Sequence, residues 1–231
     1  KGCKYCEAET YIRMCDRRKS EQHIITLQRN KMEKMRTCEK PYTKKILGKK
    51  IRVNPGVFYP ASDTKLLIKS IRVYPHEKIL EAFAGTGAIS IFCALKAGEI
   101  MATDINPKAI ENINENIHMH KLERKMKAVC ANIFPVKIEE FDVIIINPPY
   151  TDKKARNFIE KSMLDENHTT IKRFFKKARR YLAPKGRIYA SWANFADFFF
   201  FEKLIRKNGF QFKRIHSLSK DGKTYRTYKI K

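Results

Sequence analysis

The chain has 231 residues, enough for one large domain with a small extension, and it carries a formal net charge of +25. Its longest apolar runs, 143–146 and 198–201, are far too short to cross a membrane, so no membrane partner is expected. Six cysteines in a chain of this length do not indicate a secreted disulfide framework, and we expect a cytoplasmic protein.

The positive charge is concentrated in the two ends of the chain. Residues 1–50 hold 15 Lys or Arg against 6 Asp or Glu, and residues 151–231 hold 22 against 7. The stretch between them is nearly neutral, with 12 basic and 11 acidic residues. Basic flanks around a neutral centre are typical of nucleic-acid binding, so we expect RNA or a ribonucleoprotein as partner. A lysine-rich genome is the alternative, although it does not explain the neutral centre.

Residues 1–50 are predicted to form a basic, cysteine-containing extension, with a short basic helix from His23 to Met35. Cys3, Cys6 and Cys15 have a spacing that can hold a structural zinc, with Cys38 or His23 as fourth ligand. Free thiols are the alternative, because only one C-x2-C pair is present. We therefore predict two units, an extension over 1–50 that is a candidate zinc module and a main domain over 51–231.

Strands and helices alternate over the main domain. A helix is predicted from Ser62 to Arg72, followed by strands at 78–83, 99–103, 126–131, 141–146 and 186–192 and helices at 87–97, 107–120, 154–164, 169–182 and 195–208. Such alternation indicates an α/β fold with a parallel sheet covered by helices. Near the end, Asp221-Gly222 separates two strand-like segments, 211–217 and 224–230, and Asp-Gly favours an antiparallel hairpin.

The first two strands of this series end in residues that suit a nucleotide-like ligand. Gly85 and Gly87 turn the first strand into a helix and let the backbone approach a ligand at the helix N-terminus, although a plain turn is the alternative. Asp104 ends the next strand, where an acid can accept hydrogen bonds from a ribose diol or, alternatively, cap the helix that opens at Pro107. Glu81 adds a carboxylate that can face the cationic end of a ligand.

Asn147-Pro148-Pro149-Tyr150 is the most informative stretch of the chain. It follows an apolar run typical of a buried parallel strand, and two prolines cannot continue a strand because neither has an N–H. The chain must leave the sheet at its carboxyl edge, where open α/β sheets bind ligands. Asn147 and Pro148 can each accept one N–H, and Tyr150 can stack on a planar group. We therefore predict a grip for a flat –NH2 group, with an ordinary turn as the alternative.

Together these stretches resemble the S-adenosylmethionine-dependent N-methyltransferases with an Asn-Pro-Pro-Tyr motif, in particular the release-factor glutamine methyltransferase (HemK-like) family. Residues 57–67 look like the segment before the first strand in that family, and 103–110 look like its second-strand motif. The resemblance implies a Rossmann-like seven-stranded sheet with a C-terminal antiparallel hairpin, a methyltransferase domain over 51–231, and S-adenosylmethionine as cofactor. The implied catalytic residues are Asn147, Pro148, Pro149 and Tyr150, and the implied cofactor-binding residues are Tyr59, Asp63, Glu81, Phe83, Gly85, Gly87, Asp104, Ile105, Asn132 and Ile133.

The acceptor has three candidate classes. An exocyclic base amine in ribosomal or transfer RNA is favoured by the basic flanks and by the lack of a Gly-rich stretch after Tyr150 of the kind the release-factor enzymes carry. A glutamine in a translation factor or ribosomal protein, and a small-molecule amine, are the alternatives. The paired basic residues between Lys172 and Arg180 are interpreted either as a phosphate-tracking stripe or as the solvated face of an amphipathic helix. A non-catalytic RNA-binding module would not bind the cofactor.

Overall fold

The computed structural model describes residues 23–231. Its helices are α1 (23–36), α2 (Ser62–Ser70), α3 (Ala88–Cys93), α4 (Pro107–Met119), α5 (Phe158–Lys161), α6 (Thr169–Ala178) and α7 (Phe198–Lys207). Its strands are β1 (Tyr42–Ile46), β2 (Lys49–Val53), β3 (Lys78–Ala82), β4 (Glu99–Asp104), β5 (Met126–Cys130), β6 (Phe141–Ile146), β7 (Leu182–Ala193), β8 (Phe212–Lys220) and β9 (Lys223–Ile230). In this range no helix combines the length and hydrophobicity that a bilayer crossing needs.

Seven strands form one sheet in the order β5-β4-β3-β6-β7-β9-β8. Strands β3 to β7 are parallel, whereas β9 runs antiparallel to both of its neighbours, β7 and β8. The chain moves outward from β3 to β5 and then crosses back to β6, so β3 and β6 flank a topological switch point, the usual ligand site of such sheets. The predicted Rossmann-like sheet with a C-terminal antiparallel hairpin is confirmed.

Both faces of the sheet are covered, which explains the continuous apolar runs of its central strands. On one face, α6 and α7 bring aromatic side chains against β7, where the Phe201 ring stacks on Trp192 at 4.4 Å between centroids. On the other face, α2, α3 and α4 pack Leu67, Ile89 and Ile113 against β3 and β4. The core therefore holds the carboxyl ends of β3 and β6 on a rigid support.

Several segments differ from the sequence-based expectation, among them two predicted helices. The helix predicted over 154–164 is wrong for most of its length, since only Phe158–Lys161 is helical. Thr151 instead pairs with Leu164, and the Asp165 carboxylate accepts hydrogen bonds from the first turn of α6, which holds 151–165 as a compact loop. The helix that starts at Ser62 ends at Ser70 because Ile71 is extended.

Strands β1 and β2 form a separate antiparallel hairpin that the sequence did not indicate. The hairpin is joined to α4 through hydrogen bonds between the Arg52 backbone and the buried Asn116 side chain. It spans residue 50, the predicted end of the extension, and the division at 50/51 stays a prediction. The basic helix expected from His23 to Met35 is observed as α1 over 23–36.

Candidate active site

The glycine turn and the Asn-Pro-Pro-Tyr motif lie side by side at the switch point. Ala82 of β3 and Ile146 of β6 are paired in the sheet, so the chain leaves both strands at the same edge. A cavity of about 380 Å³ opens there, within the range of roughly 300–1,000 Å³ usual for small-molecule sites. The predicted site residues that line it are Glu81, Phe83, Gly85, Asp104, Ile105, Asn132, Ile133, Asn147 and Pro149.

The glycine turn is fixed at both of its sides. The Gly85 N–H donates to Asp104 Oδ2 at 2.9 Å, which ties the turn to the end of β4. Gly85 has φ +55°, and a Cβ there would lie 3.3 Å from the Phe58 carbonyl oxygen. Gly87, with φ +72°, lies outside the cavity lining, and a Cβ on it would lie 3.2 Å from Ile113 and Met126. A side chain at position 85 would therefore crowd the Phe58 backbone beside the cavity, and one at position 87 would crowd the packing of α4 and β5.

Asp104 faces the cavity with its carboxylate partly engaged. Its Oδ1 accepts a hydrogen bond from the Asn106 N–H at 2.9 Å, and its Oδ2 accepts the one from Gly85. Burial raises the pKa of Asp104, and these N–H groups work against that rise. Each oxygen retains a lone pair for a ligand hydroxyl. The alternative role as helix cap belongs to Asn106, whose side chain accepts from the Lys108 N–H.

Glu81 is a second carboxylate in the cavity wall and is only 2% exposed. Its Oε2 accepts hydrogen bonds from the Ser90 N–H (2.8 Å) and the Ser90 hydroxyl (2.5 Å). Burial nevertheless raises the pKa of Glu81 to about 7, and within residues 23–231 no cationic side chain forms an ion pair with it to favour the charged form. A cationic ligand group would supply that missing charge.

A second, smaller cavity of about 40 Å³ lies on the other side of the motif. Asn147, Pro149, Phe58 and Ser162 line both cavities and therefore form the wall between them. Pro148 and Tyr150 line only the smaller one. The motif thus lies between a ligand-sized cavity and a second, much smaller one.

The Asn147 side chain is held at both ends of its amide. Its Nδ2 donates to Asp63 Oδ2 at 3.3 Å, and its Oδ1 accepts from the hydroxyls of Tyr150 and Ser191. Asp63 is 3% exposed and, within the described residues, its Oδ1 has no hydrogen-bond partner. These contacts fix the plane of the amide before any ligand arrives.

Tyr150 is buried, and burial raises the pKa of its hydroxyl well above the usual value, so the group stays protonated as a donor. Its ring meets Trp192 edge-on at 5.5 Å and Phe195 at 5.9 Å between centroids. The predicted stacking of Tyr150 on a planar acceptor stays a prediction. The structure adds a second property, since its hydroxyl orients Asn147.

Besides Gly87, two further predicted cofactor residues, Asp63 and Tyr59, do not line the large cavity. Asp63 lines the smaller cavity, beside the motif. Tyr59 lies next to Phe58 with nearly parallel rings 6.1 Å apart and lines neither cavity. Asn132 lines the large cavity, and its Oδ1 accepts a hydrogen bond from Arg173 of α6 at 2.7 Å.

The basic residues of α6 are exposed, whereas Phe174 and Phe175 are buried. This arrangement agrees both with a phosphate-tracking stripe and with the solvated face of an amphipathic helix.

Sequence reasoning missed several residues around the smaller cavity: Gln28, Lys31, Ser191, Lys223 and Tyr225. Gln28 donates to Thr151 Oγ1 at 2.9 Å, which brings α1 over the loop that follows the motif. These residues come from elements far apart in the chain, and no local spacing connects them. Of these residues, only Ser191 could have been expected near Asn147, because it lies on β7, the strand next to β6.

The predicted zinc site receives no support. Cys3, Cys6 and Cys15 lie outside the described residues. The half-buried Cys38 thiol donates to the Lys40 carbonyl at 3.3 Å. From residue 23 onward, no group of three or more His, Cys, Asp or Glu side chains is arranged to hold a metal ion.

Comparison with known proteins agrees with this geometry. The methyltransferase small domain family matches residues 49–223, and the chain belongs to this family. The release factor glutamine methyltransferase of Aquifex aeolicus is 31% identical over 132 residues, which cover 54% of this chain and 47% of that protein. The tRNA (guanine(37)-N(1))-methyltransferase of Methanocaldococcus jannaschii is 33% identical over 108 residues, which cover 46% and 32%.

A solved structure shows the same fold. The 16S rRNA N2 G1207 methyltransferase of T. thermophilus, in complex with AdoMet and guanosine, superimposes with a TM-score of 0.63 at 18% identity, covering 81% of this chain and 49% of that one. The chain spans about half the length of the curated relatives it matches first. The relationship predicted from the sequence, to S-adenosylmethionine-dependent N-methyltransferases near the release factor glutamine methyltransferases, is confirmed.

Proposed function

We propose that this domain transfers a methyl group from S-adenosylmethionine to a planar amine nitrogen, and that the acceptor is an exocyclic base amine in ribosomal or transfer RNA. The observation that carries the proposal is the wall formed by Asn147 and Pro149 between a ligand-sized cavity and a second opening. Family membership supports the reaction class. We also propose a cytoplasmic location, where such acceptors occur.

The large cavity fits the cofactor by the chemistry of its lining. Asp104 retains acceptors for the ribose hydroxyls, and Glu81 offers a carboxylate to the cationic end. Asn132 and Ile133 lie where the adenine ring would be held, and Gly85 allows close approach of the backbone. When bound, the sulfonium supplies an electrophilic methyl group, so the protein contributes mainly placement.

On the acceptor side, the Pro148 carbonyl and Asn147 Oδ1 would each accept one hydrogen of the amine. For Asn147, this requires the Tyr150 hydroxyl to turn from Oδ1 to its other neighbours, Ser191 and Asp63. Asp63, Tyr150 and Ser191 hold the amide of Asn147 in place, so little ordering remains to be done on binding. Gripping both hydrogens turns the nitrogen lone pair out of conjugation and towards the methyl group. No strong base is required, because the nitrogen loses its proton after the bond forms.

RNA is favoured over the alternatives by charge. The two ends of the chain, 1–50 and 151–231, carry most of its +25 net charge, and an RNA methyltransferase shares its fold. A glutamine side chain in a translation factor is the second candidate, supported by the names of several relatives. A small-molecule amine is a third candidate, but it leaves the basic flanks without a role.

The deciding experiment follows labelled methyl from S-adenosylmethionine into an extract of cells that lack this protein. Separate nuclease and protease digestions then release the label. Loss of label to nuclease alone, together with rates that fall steeply with salt, is the expected result. Loss to protease alone would replace RNA with glutamine, and label that stays in low-molecular-mass material would indicate a small-molecule acceptor.

A further inference from the structure

Three lysines from three different elements surround the acceptor side of the motif: Lys31 of α1, Lys44 of β1 and Lys223 of β9. Lys31 and Lys223 line the smaller cavity itself. The Lys31 Nζ lies 3.8 Å from the centroid of the Phe58 ring, and the Lys44 Nζ lies 4.4 Å from that of Tyr59. The two aromatic rings therefore form a floor on which two of the ammonium groups lie.

The three ammonium groups are only partly neutralised. Asp63 attracts all of them electrostatically, but among the described residues no carboxylate forms an ion pair within 4.0 Å of any of the three. Asp63 is already engaged, because its Oδ2 accepts from Asn147. Asp221 also attracts Lys223, but two carboxylates facing three lysines still leave a local excess of positive charge.

Partial burial disfavours this charge, since all three lysine side chains are half-buried. Burial lowers the pKa of Lys31 to about 8; Asp63 opposes this change, and Lys223 and Lys44 add to it. Burial also lowers the pKa of Lys44 and of Lys223. Desolvated ammonium groups without a close counter-ion are costly to the protein, and an incoming anion would remove that cost.

We propose that Lys31, Lys44 and Lys223 form a subsite for a backbone phosphate of the RNA acceptor, next to the base that receives the methyl group. The inference rests on the proposed RNA methylation. A phosphodiester supplies a permanent negative charge close to the base, and three ammonium groups can share its oxygens. A glutamine side chain is neutral and gives this cluster no partner.

The smaller cavity is too small to hold a base in the structure as it stands. A volume of about 40 Å³ accommodates only a few water molecules, so a base cannot enter while Lys31 covers Phe58. Lysine has a flexible four-carbon stem, and binding of its ammonium group to a phosphate would draw it away from the ring. The anion that anchors the RNA would thereby help to open the position of the base.

The test compares two triple variants with equal loss of charge. Lys31, Lys44 and Lys223 are changed to Met in one, and the exposed Lys96, Lys185 and Lys207 in the other. The probe is a fluorescein-labelled 20-nucleotide single-stranded RNA of mixed sequence, with S-adenosylhomocysteine present. Anisotropy titrations at several salt concentrations give the affinity and its salt slope.

The expected result is a loss of about tenfold or more for the subsite variant and a salt slope shallower by about 0.7 or more. The control variant should lose much less affinity. The same three positions changed to Arg should restore the slope, since Arg also binds phosphate. Unchanged binding of S-adenosylhomocysteine, measured by calorimetry, shows that each variant is folded.

Equal losses in the two triple variants would overturn the subsite, as would stronger binding of an oligoglutamate peptide than of RNA. Methyl transfer is measured on the same preparations. Label in RNA with an unaltered salt slope in the subsite variant would refute the subsite and retain the proposed function. Lysine-dependent RNA binding without label in RNA would retain the subsite and refute RNA methylation.

Discussion

Replacing Glu81 by glutamine is expected to stabilise the ligand-free protein at neutral and higher pH. Glu81 is 2% exposed, and burial raises its pKa from 4.5 to about 7. One pKa unit corresponds to about 1.4 kcal/mol, so the ionised form costs the fold about 3 kcal/mol. Between these two pKa values the folded state holds a proton that the unfolded state has released, so stability falls as pH rises and the cost is complete above pH 7.

The assay is urea unfolding of both ligand-free proteins between about pH 5 and pH 8.5. The free energy of unfolding of the wild type should fall relative to that of Glu81→Gln as pH increases. Asp104, whose pKa is also raised, repels the ionised Glu81, so part of the difference between the two proteins is the relief of that repulsion. Glu111→Gln, at an exposed position on α4, is the matched control. Parallel curves for wild type and Glu81→Gln would refute the reasoning.

The same substitution should weaken the binding of S-adenosylmethionine by about tenfold or more. The carboxylate is lost where the cationic end of the cofactor is expected, and a charge-assisted hydrogen bond contributes about 1.5–3 kcal/mol. Titration calorimetry at pH 8 measures the difference. Cofactor affinity equal to that of the wild type would remove Glu81 from the cofactor site. Gain of stability with loss of binding is the combination expected of a functional carboxylate.

Three further substitutions test separate parts of the structure. Asp63→Ala removes the acceptor of Asn147 Nδ2 and should lower the methyl-transfer rate about tenfold or more while cofactor affinity, measured in parallel, stays within about twofold. Gly87→Ala forces a side chain into φ +72° and should cost about 2 kcal/mol or more, seen as a lower Tm. Glu77→Gln leaves the largely buried Arg187 without its carboxylate partner at 2.6 Å and should cost about 3 kcal/mol in urea unfolding.

The sheet and the position of the motif could be predicted from the sequence because both follow from local patterns. β-branched apolar runs define the central strands, and the two prolines after Asn147 end β6. Once the strands are parallel, their carboxyl ends must share one edge, which brings Gly85, Asp104 and Asn147 together. The topology of the sheet therefore predicts where the large cavity lies.

The acceptor side could not be predicted because it depends on contacts between distant elements. Lys31 reaches the motif only through the packing of α1 on the 151–165 loop, including the contact of Gln28 with Thr151. Lys223 arrives through the antiparallel placement of β9 beside β7. Neither contact has a periodic pattern or a short motif in the sequence. The prediction of a helix over 154–164 was wrong for a related reason. The Asp165 carboxylate binds the first turn of α6, and this contact favours a loop before that helix.

The central claim is that Asn147 grips the acceptor amine and does not serve the cofactor. The most direct measurement compares the rate of labelled methyl transfer and the calorimetric affinity for S-adenosylmethionine in wild type and Asn147→Ala. We predict that the substitution abolishes transfer, while cofactor affinity stays within about threefold because Asp104 and Glu81 are untouched. Retained transfer, or parallel loss of transfer and cofactor binding, would contradict the role assigned to the motif.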